Sequence, residues 1–190
     1  MVGEGLREVT RRAVTAEIAA KAMDLFTEQG FEGTTVDQIA AAVGVSTRTV
    51  FRYFAGKEDM VVGNLMELGH ELAAALEARP ADEAPWAALR AALQVCVESL
   101  EAVGLPRATM LAETPALRTA LLRKHLQWQE VLVPVLAKRL GGDEFAAHAL
   151  SSAALSCLDV AGYEWTRVAG KKPLGDLLDA AIAAVRPPAR

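Results

Sequence analysis

Thr35-Val36-Asp37-Gln38-Ile39-Ala40-Ala41-Ala42-Val43-Gly44-Val45-Ser46-Thr47-Arg48-Thr49-Val50-Phe51-Arg52-Tyr53-Phe54-Ala55-Gly56-Lys57 is the stretch on which the fold turns. Thr35 and Gln38 have the spacing of a capping box, in which the threonine hydroxyl accepts a free backbone N–H and the glutamine reaches back. A helix therefore starts there. Val36, Ile39, Ala40 and Val43 hold the helical period for about two turns, and Gly44 supplies the left-handed conformation that stops the chain and turns it. Ser46 can cap the next helix, with Val50 and Phe54 facing inward and Thr47, Arg48, Phe51 and Arg52 outward. Two short helices joined by a sharp turn form a helix-turn-helix, whose second helix presents base-reading residues in the major groove. From Ser46 to Lys57 the charges are Arg48, Arg52 and Lys57, with no acid.

That local +3 stands out because the whole chain of 190 residues is acidic, with 20 Lys+Arg against 24 Asp+Glu and a formal charge of −4. Net charge alone does not mark a nucleic-acid binder. Phosphates respond to the local patch, since screening acts over about 8 Å at physiological salt. Hydrophobic residues make up 52% of the sequence, enough for a sizeable core, and are mainly Ala, Leu and Val. That composition favours helices over strands, and the expected fold class is all-α with about nine helices.

Upstream, Ile18, Ala22, Leu25 and Phe26 lay one apolar stripe along a helix from Thr10 to Gln29, ended by Gly30. With the two short helices this makes an N-terminal three-helix DNA-binding domain over residues 1–56. Lys57 opens a longer helix expected to run to the Arg79-Pro80 break. Further helices follow over 86–102, 107–112, 116–140, 143–168 and 174–185, punctuated by Gly104-Leu105-Pro106, Thr114-Pro115, Gly141-Gly142 and Gly170 to Pro173. Residues 57–190 form the expected ligand-binding and dimerisation domain.

The run Phe31-Glu32-Gly33-Thr34-Thr35-Val36-Asp37-Gln38-Ile39-Ala40, then Gly44-Val45-Ser46, then Thr49 to Phe54 and Lys57-Glu58-Asp59 resembles the DNA-binding domain of the TetR family over roughly residues 10 to 60. The resemblance implies that Thr35 binds a phosphate, that Thr47, Arg48 and Thr49 enter the groove, and that Tyr53 and Lys57 grip the backbone. Ser46, Phe51 and Arg52 complete the expected DNA-binding set. Arg48 stands where the family often has Gly, and its guanidinium can take guanine O6 and N7 together. Phe51 stands where many members have Tyr, which leaves apolar contact with a thymine methyl. Asp37 lies near the expected DNA surface, where it opposes phosphate while favouring the positive end of its own helix.

In TetR-like proteins two C-terminal helices pair across a two-fold axis, and the resemblance implies a homodimer that reads a palindromic operator on double-stranded DNA. Ala146, Ala149, Ala153, Ser156 and Val160, with Leu177, Leu178, Ala181, Ile182 and Val185, are the stripes expected to pair. Met110, Glu113, His125, Trp128 and Gln129 place large and polar side chains among apolar helices, the mixture that lines pockets in helical domains. They are the candidate contacts of an unknown small-molecule effector, although each also fits ordinary packing. Glu113 to Arg118 and Trp128 resemble a subgroup of the family, some members of which sense acyl-CoA or other lipophilic metabolites.

No HExxH, phosphate-binding glycine loop or nucleophile elbow occurs, and His70, His125 and His148 lack ligand spacing. The expected protein is a ligand-responsive repressor, not an enzyme, with no cofactor and no metal. The competing reading is an all-helical small-molecule-binding protein or enzyme without an operator. Cys96 and Cys157 sit apart in apolar surroundings and read as core thiols. The N-terminus lacks a secretory pattern and no apolar run reads as a membrane span, so a cytoplasmic protein without membrane contact is expected.

Overall fold

A computed structural model describes residues 2–63 and 65–186, which form helices joined by turns, with no strand among the described residues. The helices are α1 Val2–Gln29, α2 Val36–Val43, α3 Thr47–Tyr53, α4 Lys57–Val62, α5 Leu65–Glu77, α6 Pro85–Ala92, α7 Gln94–Glu113, α8 Pro115–Arg139, α9 Glu144–Arg167 and α10 Leu174–Val185. The chain divides into two compact units, residues 1–63 and 64–190.

In the first unit α1 begins earlier than Thr10. It packs on α2 and α4, and α2 packs on α3. Ile18, Ala22 and Phe26 are buried as the stripe requires, with Phe31, Ile39, Val50 and Phe54. Gly30 and Gly44 both take φ of 78°. At Gly44 this lets its own N–H reach Ala41 O and the Val45 N–H reach Ala40 O at 3.0 Å, closing the end of α2. Buried Thr34 ties the loop after α1, donating its hydroxyl to Gly30 O at 2.8 Å.

The expected single helix from Lys57 to Arg79 is instead α4 and α5, with Gly63 after α4 still at helical φ −58° and ψ −42°. Met60, Val61 and Val62 are buried and α4 packs on α1, so α4 belongs to the first unit. The division accordingly falls after Gly63 and not after Gly56.

The second unit is a helical core in which α8 packs on α5 and α9, and α9 packs on α7 and α10. Leu72, Leu76, Leu89, Leu93, Trp128, Leu132, Leu136 and Leu178 are fully enclosed. Arg139 in the last turn of α8 donates to Leu76 O and Pro80 O, each at 2.8 Å, and to Arg79 O. It thereby satisfies carbonyls that the end of α5 leaves open. Arg90 of α6 is paired with Asp179 of α10. Gly104, with φ 79° and ψ 165°, leaves the helical conformation and interrupts α7 where the Gly104-Leu105-Pro106 punctuation places a break, and helix resumes beyond it.

Helix α9 is long and apolar enough to cross a membrane by length and composition, against the expectation of no such run; here it packs among α7, α8 and α10.

Candidate functional site

At the start of α2 the Thr35 hydroxyl accepts the Gln38 N–H at 3.2 Å, and Gln38 Oε1 accepts the Thr35 N–H at 2.7 Å and its hydroxyl at 3.1 Å. The capping box is complete. Ser46 caps α3 by accepting the Thr49 N–H at 3.1 Å, and its hydroxyl lies 2.9 Å from Thr49 Oγ1. Val50 and Phe54 are buried, while Arg48, Phe51 and Arg52 are exposed, Phe51 to 53%. The outer edge of α3 therefore carries the residues placed there by helical period.

Besides Thr35, Ser46 and Thr49, four more of the predicted DNA-binding residues hold protein partners. Thr47 Oγ1 donates to Asp37 Oδ1 at 2.6 Å, linking α3 to the first turn of α2. Arg52 Nη2 donates to Tyr53 Oη at 3.2 Å, and its guanidinium lies 5.0 Å from the Tyr53 ring centre. Lys57 turns away from the set: its Nζ donates to Phe31 O at 2.7 Å and Thr34 O at 3.3 Å, with Glu32 at 3.8 Å and the Phe31 ring centre at 4.3 Å. In this arrangement the ammonium locks the loop between α1 and α2. Its partners are main-chain oxygens of distant residues, which no local pattern announces.

The candidate effector residues lie on α7 and α8 of the second unit. Trp128 is buried, donates its indole N–H to Leu65 O at 2.6 Å, and lies so close to Gly69 that a Cβ there would sit 2.3 Å from Trp128 Cδ1. His125 is buried, 4.9 Å ring to ring from Trp128, with Nδ1 3.2 Å from Asp159 Oδ2 on α9. Gln129 donates to Ser152 Oγ at 2.8 Å. Met110 is half-buried and Glu113 exposed. The structure thus brings His125 and Trp128 together as packed, hydrogen-bonded core groups, with Gln129 beside them on α8.

On α9 the expected pairing stripe is outward in part. Ala149, Ser156 and Val160 are exposed, Val160 to 61%, and Phe145 and Tyr163 join them on the same face at 85% and 55%. Ala146 and Ala153 are half-buried. On α10, Leu177 and Leu178 are buried inside the unit, Ala181 and Ile182 half-buried, and Val185 exposed. Leu177 and Leu178 are core residues, because the inner face of this amphipathic helix covers α9. Among the described residues no group of His, Cys, Asp and Glu could hold a metal ion.

A capped helix, a glycine turn and a second helix with exposed Arg48, Phe51 and Arg52 define a helix-turn-helix DNA-binding protein. Residues 18–62 match the bacterial regulatory proteins of the tetR family, and residues 83–190 match the MftR C-terminal domain. The chain belongs to the TetR family of transcriptional regulators. It is similar to the HTH-type transcriptional regulator TcmR of Streptomyces glaucescens, 36% identical over 150 residues that span 74% of this chain and 66% of that protein. Its fold is that of Thermus thermophilus FadR, a TetR-family transcriptional repressor solved with lauroyl-CoA, at TM-score 0.61 and 20% identity, covering 93% of this chain and 98% of the other. Bacillus subtilis FadR, solved with stearoyl-CoA, gives TM-score 0.59 at 18% identity over 92% and 98%.

Proposed function

We propose that the chain is a cytoplasmic homodimeric repressor that binds a palindromic operator and leaves it when an amphipathic or lipophilic small molecule binds the second unit. The observation that carries the reading is the exposed Arg48, Phe51 and Arg52 edge of α3, held by the caps at Thr35, Gly44 and Ser46. Arg48 takes a guanine, Phe51 a thymine methyl, and Thr35, Ser46, Thr49, Arg52 and Tyr53 the backbone and groove walls. Lys57 serves the same surface indirectly by fixing the loop that precedes α2. The exposed Phe145, Val160 and Tyr163 face of α9, with Val185 of α10, is the pairing surface.

For the effector, the resemblance to regulators solved with acyl-CoA makes long-chain acyl thioesters the first class to try. Met110, Glu113 and Gln129, with the packed His125 and Trp128, are the residues assigned to the effector. The protein acts by binding, without catalysis. Ligand release of DNA requires the acyl compound to favour the unbound state over the DNA-bound state.

The test is mobility shift of duplexes flanking the chain's own gene at several salt concentrations, then with lauroyl-CoA added. A sequence-preferring complex that weakens with salt and dissociates on addition is expected. Absence of any sequence-preferring complex overturns the reading; a complex indifferent to acyl-CoA overturns only the effector class.

A further inference from the structure

Asp37 presents a carboxylate at a surface meant for phosphates, and the structure gives it a specific partner. Thr47 Oγ1 and Asp37 Oδ1 are 2.6 Å apart across the turn. An ionised carboxylate can only accept, so the proton in that bond is the one Thr47 owns. A hydroxyl has one proton and two lone pairs, and with the proton engaged Thr47 offers only an acceptor to anything outside. In the major groove adenine N6 and cytosine N4 donate, whereas guanine O6 and N7 and thymine O4 accept.

We propose, resting on the DNA-binding reading above, that Asp37 sets the hydrogen-bond polarity of Thr47, so that Thr47 selects adenine or cytosine against guanine or thymine at one position of each half-site. Asp37 is a positioning residue and Thr47 the reading one. The neighbouring groups differ in kind. Arg48 has only donors and reads acceptors. Ser46 and Thr49 share a hydroxyl pair in which either oxygen can donate, so their polarity is not fixed. Asp37 also repels phosphate whatever the sequence, an effect that cancels when two bases are compared at one position.

The experiment is selection of bound duplexes from a random-sequence pool with the full chain, followed by competition among the four bases at each position of the recovered half-site. Wild type should favour A or C over G or T by about tenfold at one position, the scale of a single mismatch. Thr47→Val should abolish that preference. Asp37→Ala should reduce it to about twofold or less, because the freed hydroxyl rotates to donate, while discrimination at the guanine assigned to Arg48 persists. Thr47→Val added to Asp37→Ala should change nothing further at that position. Persistence of that arginine-dependent position also shows that each variant is folded. Unchanged A or C preference in Asp37→Ala, or a wild-type half-site without a Thr47-dependent A or C, overturns the proposal. Failure of wild type to enrich any sequence overturns the DNA-binding reading instead.

Discussion

Lys57 and Arg48 carry the same charge on the same basic stretch, yet the fold puts them to different work. Lys57 bonds two loop carbonyls and lies over the Phe31 ring, whereas Arg48 is exposed at the edge of α3. Replacing Lys57 by Met should cost the first unit about 1–3 kcal/mol, the scale of hydrogen bonds to a charged group. Arg48→Ala should change stability by less than about 0.5 kcal/mol while removing preference for guanine. Urea unfolding and base competition on the two variants separate these outcomes, and a destabilised Arg48→Ala beside a fully stable Lys57→Met would contradict them.

Burial gives Cys96 a different character. Desolvation, with a smaller contribution from the charge of Glu71, pushes its thiol up to about 12. The folded state then holds the proton more tightly than the unfolded chain, whose thiol titrates near about 8.5. The stability this contributes is present below that value and is lost as pH rises through about 8.5 towards 12. At pH 8, iodoacetamide should leave Cys96 unmodified in the native protein and alkylate it in denaturant, as read by peptide mass. Rapid native alkylation would refute the buried neutral thiol.

At the scale of elements, what sequence made legible was local. The ends of α2 and α3 depend on Thr35, Gly44 and Ser46, each acting within a few residues of itself, so their spacing was enough to place both helices. The closeness of α5 to α8 depends on Gly69 meeting Trp128 across the chain, and neither residue signals the other. Gly69→Ala should force the indole outward and destabilise the second unit by about 1–3 kcal/mol, measured by chemical unfolding; an unchanged midpoint would show that the α5–α8 approach is not fixed there. Trp128 and His125 looked like candidate ligand contacts because composition shows a polar group among apolar ones without showing its partner. Leu65 O and Asp159 are those partners. Periodicity likewise identified an apolar face on α10 but not what covers it, which is why Leu177 and Leu178 proved internal.

For the molecule as a whole, the proposed complex has an acidic chain of net charge −4 meeting DNA through a small basic edge. Arg52→Ala should lower affinity for all sequences alike and make the slope of log K against log salt shallower by about 1 for each phosphate that Arg52 neutralises. A sequence-dependent change would instead make Arg52 a base reader. The family assignment settles the class of regulator, while pairing of two copies rests on the outward face of α9. Val160→Glu should leave the protomer folded by circular dichroism yet shift sedimentation to the monomer and abolish stable operator binding; a dimer that survives would move the interface elsewhere.

That α9 face, with Phe145, Val160 and Tyr163 in the open, has a consequence for gene dosage. In the proposed homodimer, protomers scarce enough to be mostly unpaired occupy DNA in proportion to the square of their concentration. Dilution as a cell grows then lifts repression more steeply than the loss of protein itself, and a regulator acting on its own gene gains a sharp restoring response from an apolar strip on one helix.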